Sequence, residues 1–136
     1  MAKITFDATT LKTMALFEEV TGARIKDFVP SDMIFIIEAG DMGRAIGKNA
    51  SNVKRVEMLL KRPISLIEFS DNISQFIKNL VHPADVLSVE NEEGNITIRP
   101  RDARSKGMIF GRDRSKLTLI KEVLKRHFAV KDVRVA

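Results

Sequence analysis

The sequence predicts an α+β protein in which two small copies of one unit follow each other along the chain. Apolar residues recur at helical spacing in some segments and form short β-branched runs in others, which predicts both helices and strands. The sequence also matches itself when it is shifted by 64 residues. Positive charge is concentrated in the two segments that this shift superimposes. Together these observations favour a duplicated α+β unit.

The first half of the chain predicts a helix and then two strands. Over residues 10–20, Leu11, Met14 and Ala15 have the i, i+3, i+4 spacing of one helix face, and Phe17 widens that face. Two strands follow within residues 24–40, on either side of a turn at Pro30-Ser31-Asp32.

The remainder of the first half predicts the helical part of the unit. Residues 43–62 predict a short helix, a glycine turn and a second helix, and residues 64–69 (ISLIEF) predict a strand. The boundary between the halves falls at residues 69–71, with no flexible linker, so we expect domains over 1–70 and 71–136.

The second half predicts the same order of elements. Residues 72–81 form an amphipathic helix that Pro83 stops. Residues 85–100 predict a hairpin around Glu93-Gly94, and residues 130–135 predict a closing strand.

The repeat is clearest in the basic segments, where residues 43–62 lie over residues 107–126 without a gap. Six positions are identical: Gly43/Gly107, Gly47/Gly111, Ser51/Ser115, Leu60/Leu124, Lys61/Lys125 and Arg62/Arg126. Two unrelated amphipathic helices would rarely share both glycines at the same spacing before the helix. We therefore interpret the halves as a duplication.

Charge and composition narrow the class of protein. The chain has 136 residues, of which 44% are hydrophobic and 30% charged, and this is typical of a globular protein. Residues 43–62 carry a net charge of +5 and residues 99–126 carry +7, whereas the whole chain carries +5. Clustered positive charge of this kind indicates a polyanionic partner.

Several classes of site are excluded by residue content. Without cysteine there can be no disulfide or thiolate site, and the two histidines are far apart in sequence, so we expect no metal site and no cofactor. We find no catalytic triad and expect no enzyme activity. The longest apolar run, residues 33–37, is too short to span a bilayer, and the first 20 residues lack a signal-peptide pattern. We therefore expect a cytoplasmic monomer that does not bind membranes.

The glycine turns are suited to gripping phosphate, because the amides at the start of a helix face an anion there. A nucleotide-binding P-loop would need glycine at Met42 and serine or threonine at Asn49, so its spacing fails. A dinucleotide-binding fingerprint also fails on spacing. The phosphate of a nucleic-acid backbone is the remaining interpretation.

A glycine turn between two helices, packed on a three-stranded sheet with a helix and strand on its N-terminal side, resembles the prokaryotic (type II) KH domain. The stretches FSDNISQFIKNLVHPADVLSV (69–89) and GRDRSKLTLIKEVLKRHF (111–128) further resemble the KH region of NusA-type transcription termination and antitermination factors. The resemblance covers essentially the full length and is closest to the short archaeal NusA-like proteins. It implies two tandem type II KH domains, each helix-strand-strand-helix-helix-strand.

The resemblance also implies a function, which is to grip single-stranded nascent RNA during transcription, with RNA polymerase as a further partner. A KH loop has the pattern GXXG and clamps the backbone of about four nucleotides. The matching loops are Gly47-Lys48-Asn49-Ala50 and Gly111-Arg112-Asp113-Arg114, and both depart from the pattern at the fourth position. Close approach at Ala50 is expected to survive if its backbone stays right-handed.

Sixteen residues are the predicted RNA contacts. They are Gly43, Arg44, Gly47, Lys48, Asn49, Ala50, Lys54 and Arg55 in the first half, and Arg101, Arg104, Lys106, Gly111, Arg112, Asp113, Arg114 and Lys116 in the second. Ile46, Val53, Phe110 and Leu117 are candidates for lining a groove for bases, with core packing as the alternative role.

Three other functions remain open from sequence. The KH pair could act on ribosomal RNA in ribosome assembly, and charge and loops cannot separate that role from transcription. A degenerate KH pair could serve as a protein-binding adaptor, because both loops lack their final glycine. A small nucleotide-binding enzyme or hydrolase is disfavoured by the failed P-loop.

Overall fold

The computed structural model describes residues 6–136 and contains two compact units, one ending at Asp71 and the other beginning at Asn72. The first unit has six main elements: α1 (Ala8–Thr21), β1 (Ile25–Val29), β2 (Ile34–Ile37), α2 (Met42–Ile46), α3 (Ser51–Leu60) and β3 (Ser65–Glu68). The second has the same order: α4 (Ile73–Val81), β4 (Val86–Glu92), β5 (Asn95–Pro100), α5 (Ala103–Phe110), α6 (Ser115–His127) and β6 (Asp132–Val135). The predicted α+β class and the helix-strand-strand-helix-helix-strand order are confirmed.

Each unit contains one three-stranded sheet with the same topology. The strand orders are β1-β2-β3 and β4-β5-β6. In each sheet the first two strands pair antiparallel, whereas the second and third pair in parallel. Parallel neighbours require a crossover connection, usually helical. The crossovers here are α2 with α3 and α5 with α6, so each glycine turn lies in the middle of a crossover.

The tight turn between β4 and β5 follows from its residues. Glu93 and Gly94 both have positive φ, 53° and 93°, as a two-residue type I′ hairpin requires. The side chain of Asn91 accepts a hydrogen bond from the Gly94 amide at 2.9 Å. The predicted hairpin is confirmed.

An aromatic stack forms the centre of the first unit. The Phe35 ring of β2 lies 4.3 Å from the Phe17 ring and 4.4 Å from the Phe28 ring, measured between centroids. Ala45 of α2 and Val56 of α3 are fully buried in the same cluster. Both crossover helices are therefore anchored on the core that the sheet provides.

The prediction that Leu11 lies on the apolar face of α1 is wrong. Its side chain is 52% exposed, whereas Phe17 is fully buried and Met14 and Val20 pack against the core. Leu11 and Phe17 are six positions apart on the helix, which turns Leu11 roughly 120° away from the buried face. Phe17, rather than Leu11, sets the direction in which α1 faces the core.

The second unit is built around aliphatic side chains. Its sheet and crossover helices bury residues that are at most 1% exposed, among them Ile96, Ile98, Ile109, Ile120, Leu124 and Val133. The helix α4 ends at Val81, just before the predicted stop at Pro83. No helix within residues 6–136 is both long enough and apolar enough to cross a membrane.

The helix α5, which leads into the second turn, is capped by Asp102. A carboxylate oxygen of Asp102 accepts a hydrogen bond from the Ser105 amide at 2.8 Å. This bond, helped by the nearby charges of Arg104 and Arg101, lowers the pKa of Asp102 from its ordinary value of 3.8. Because the folded state favours the ionised carboxylate, its stabilising effect is present above about pH 3.8 and is lost as pH falls through the lowered pKa.

We therefore expect the Asp102→Asn variant to lose less stability on acidification than the wild type does. Asparagine is also a good N-cap but does not titrate. The unfolding temperature of the variant should therefore be close to that of the wild type near neutral pH, and it should fall less than that of the wild type in acid. The measurement is unfolding temperature as a function of pH. Asp102→Ala is the control, since it removes the acceptor and should be less stable near neutral pH. An unchanged acid profile in Asp102→Asn would contradict this account.

Candidate nucleic-acid interface

Each crossover turn begins with a glycine that no other residue could replace without strain. Gly47 has φ 74° and ψ 173°, and Gly111 has φ 70° and ψ 178°, a region that is essentially restricted to glycine. A Cβ on Gly47 would lie 2.8 Å from Cγ of Asn52, and one on Gly111 would lie 2.6 Å from Cβ of Lys116. These glycines are required because the following helix approaches the turn closely.

The third position of each turn is left-handed. Asn49 has φ 56° and Asp113 has φ 53°. Asparagine and aspartate are the residues other than glycine that adopt this conformation most readily. Asp113 therefore has a backbone role that the polar Asn49 shares.

The fourth position of each turn is also left-handed, so the right-handed condition stated for Ala50 is not met. Ala50 has φ 60° and ψ 26°, and Arg114 has φ 62° and ψ 18°, so both are left-handed rather than right-handed. A residue with a Cβ costs roughly 1–2 kcal/mol in this conformation. The turn imposes it, because the amide of Ala50 donates to the Gly47 carbonyl at 3.2 Å and that of Arg114 to the Gly111 carbonyl at 3.4 Å. The loops have lost their final glycine but keep the conformation that glycine favours.

Each crossover also makes a hydrogen bond to the start of its sheet, and the sequence did not predict these bonds. A carboxylate oxygen of Asp41 accepts a hydrogen bond from the Arg24 amide at 2.8 Å, just before β1. The Ser105 hydroxyl accepts one from the Asp85 amide at 2.9 Å, just before β4. Asp41 and Ser105 occupy equivalent positions in the 64-residue repeat. Each bond ties the short crossover helix to the start of the sheet, and no local pattern in the sequence reveals it.

The helices that follow the turns begin without a side-chain cap, since neither Ala50 nor Arg114 makes a side-chain hydrogen bond to its helix. The first amide of each helix is used within the turn: that of Ser51 donates to the Lys48 carbonyl and that of Ser115 to the Arg112 carbonyl. The helix dipole adds positive charge at that end. The starts of α3 and α6 are therefore suited to an anion such as a backbone phosphate.

The predicted RNA contacts are accessible in both units. In the first unit they lie between residues 43 and 55, and in the second between residues 101 and 116, so each set surrounds one turn. The cationic side chains that are exposed are Arg44, Lys48, Lys54, Arg55, Arg101, Arg104, Lys106, Arg112 and Arg114, and Lys116 is half-buried. Arg101 also lies 4.0 Å from Asp85, at the limit of an ion pair. Their contact with RNA stays a prediction.

The candidate groove residues divide between surface and core. Leu117 is 5% exposed and belongs to the core of the second unit, so it cannot line an open groove. Ile46 is 39% exposed, while Val53 and Phe110 are half-buried. The Arg114 guanidinium lies over the Phe110 ring, with Cζ 5.6 Å from the ring centroid.

A second pair of glycines lies one helical turn before the first. Gly43 and Gly107 are exposed helical residues, and a Cβ on either would meet nothing within 4 Å. Glycine inside a helix costs roughly 0.5–1 kcal/mol relative to alanine. Folding does not require glycine at these positions. A ligand that lies close to the helix backbone would require it, because a side chain would hold the ligand away.

No clustered metal ligands accompany the turns. Among residues 6–136, no group of three His, Asp or Glu side chains is arranged to hold a metal ion.

We expect alanine to have opposite effects on stability at the two glycines of α2. Gly43→Ala should stabilise by roughly 0.5–1 kcal/mol, because the site is helical and open. Gly47→Ala should destabilise by more than about 1 kcal/mol, because of its backbone conformation and the contact with Asn52. Chemical denaturation measures both. Equal stability of the two variants would show that the close approach at Gly47 is not a real constraint.

Comparison with known proteins places this geometry in a family. The KH domain family matches residues 12–83. The chain is 32% identical to a probable transcription termination protein NusA of Halococcus morrhuae, over 98% of this chain and 99% of the relative. It is 30% identical to the protein with the same description in Methanocaldococcus jannaschii, over 99% of this chain and 76% of the relative.

Among solved structures, the crystal structure of APE1850 has a similar fold. It covers 93% of this chain with a TM-score of 0.72 at 24% sequence identity. With both units sharing one topology and one turn geometry, the predicted tandem KH architecture is confirmed. The chain belongs to the KH-domain family, among the NusA-like proteins of archaea.

Proposed function

We propose that the protein is an RNA-binding transcription factor of the NusA type that holds single-stranded nascent RNA and modulates elongation or termination. The observation that carries this proposal is the duplicated crossover turn. In both units a strained glycine turn leads into an uncapped helix start beside exposed cationic side chains. This is the arrangement that clamps a nucleic-acid backbone in a KH domain.

The turn would grip phosphate chiefly through its backbone. The positive ends of the α3 and α6 dipoles attract the anion, and Lys48 and Arg112, at the second position of each turn, provide charge. Gly43 and Gly107 leave the preceding helix open to the ribose-phosphate chain. Bases then lie toward Ile46 and Phe110, which remain partly accessible.

The adaptor alternative loses its main support. It rested on the missing fourth glycine, but Ala50 and Arg114 keep the left-handed backbone of that position. The loop therefore keeps a conformation that glycine favours although the glycine is absent. RNA therefore remains the ligand that best suits both turns.

The role in transcription draws on relatives described as probable transcription termination proteins. In this proposal residues 1–70 and 71–136 are the two KH domains of a cytoplasmic, non-enzymatic monomer, and RNA polymerase is its protein partner. Recovery of polymerase subunits rather than ribosomal particles from a native extract would support transcription over ribosome assembly.

We expect the double variant Lys48→Asp/Asn49→Asp to lose roughly tenfold or more in affinity for single-stranded RNA, because it places two carboxylates where phosphate would bind. Stability should change by no more than about 0.5 kcal/mol, since both side chains are exposed. Aspartate at position 49 also suits the left-handed backbone, as Asp113 does in the second turn. Fluorescence anisotropy with a labelled oligonucleotide measures the affinity.

The matched control is Thr9→Asp/Lys12→Asp, which makes the same change in net charge on exposed positions of α1. It should retain most of the affinity, because only the long-range charge has changed. If the two double variants lose the same affinity, the turn has no specific role in binding.

A further inference from the structure

The two turns differ most clearly in one pair of side chains. In the second unit, the Arg114 guanidinium lies over the Phe110 ring, with Cζ 5.6 Å from the ring centroid. In the repeat, Phe110 is equivalent to Ile46 and Arg114 to Ala50. The first unit therefore has neither a ring nor a guanidinium at these positions.

The turn itself does not account for the arginine. Ala50 and Arg114 have the same left-handed backbone, so an alanine satisfies the turn at the equivalent position. The backbone strain at Arg114 is no smaller than that at Ala50. What the arginine adds is a cation over the face of the Phe110 ring. A cation over a ring is attracted by the ring quadrupole, which holds the guanidinium in place.

The spacing decides how a nucleobase could use this pair. Stacked planes are separated by roughly 3.5 Å, so a base between ring and guanidinium would need about twice that distance. The observed 5.6 Å is too short for a base to insert. The side of the guanidinium that does not face the ring, on an exposed residue, is the surface that remains available.

We propose that Phe110 and Arg114 form a stacking platform for one nucleobase of single-stranded RNA, with the ring supporting the guanidinium and the guanidinium stacking on the base. This inference rests on the proposed RNA-binding function and adds to it a base-contacting role specific to the second unit. Arginine planes and aromatic rings are both used to stack unpaired bases. The first unit, with Ile46 and Ala50, binds the backbone without this platform.

The test combines Arg114→Lys with single abasic nucleotides placed in turn along a bound RNA oligonucleotide. Lysine keeps the charge but has no planar group to stack. In the wild type, one abasic position should weaken binding roughly 5- to 50-fold, the range for loss of one stacked base. In Arg114→Lys, that same position should cost little further affinity, because the stacking partner has already been removed.

Two further variants define the origin of the effect. Arg134→Lys makes the same chemical change on an exposed residue of β6, outside the turn, and should leave the abasic profile of the wild type intact. Phe110→Leu keeps an apolar side chain but removes the ring, and should reduce the cost of the same abasic position. Thermal unfolding of each variant establishes that it is folded.

The outcomes separate this inference from the function on which it rests. An abasic position whose cost disappears in Arg114→Lys, but not in Arg134→Lys, supports the platform. If the wild type binds RNA and no abasic position depends on Arg114, the platform is overturned while RNA binding stands. If the wild type does not bind single-stranded RNA, both proposals fail.

Discussion

The close approach of each glycine turn to the helix that follows it is the constraint on which both units depend. At Gly47 and Gly111 there is no space for a Cβ, because Asn52 and Lys116 lie against the turn. Because of this close approach, the chain turns from one crossover helix into the next within a few residues. The starts of α3 and α6 carry no side-chain cap, so the positive end of each helix dipole lies beside the turn.

The duplication preserves backbone geometry more strictly than side-chain identity. Asp41 and Ser105 are different residues, yet each accepts a hydrogen bond from the amide just before its sheet. The fourth positions of the turns, Ala50 and Arg114, likewise share a conformation despite their difference in size. Because their backbones are equivalent, both units would hold phosphate in the same way. Because their side chains differ, the two units would contact bases differently.

Sequence reasoning predicted the order of elements, the hairpin and the two turns, because periodicity and glycine spacing are local signals. It misjudged Leu11, since the direction of a helix face is set by the residue that packs deepest. For Leu117 the structure shows the core role rather than the groove role. The right-handed backbone on which close approach at Ala50 was made conditional is not found. The sequence did contain a sign of the left-handed backbone at Asn49 and Asp113. Asparagine and aspartate adopt the left-handed conformation readily, and their presence in both loops indicates a tight turn. The bonds of Asp41 and Ser105 join residues distant in sequence and left no pattern to detect.

We propose that RNA binds at the two glycine turns and the starts of the helices that follow them. Backbone amide NMR during titration with a short single-stranded RNA tests it most directly. The account predicts that the largest shifts occur at residues 47–53 and 111–117, with salt weakening the binding. Large shifts confined to other surfaces, with the amides of both turns unmoved at saturation, would contradict it.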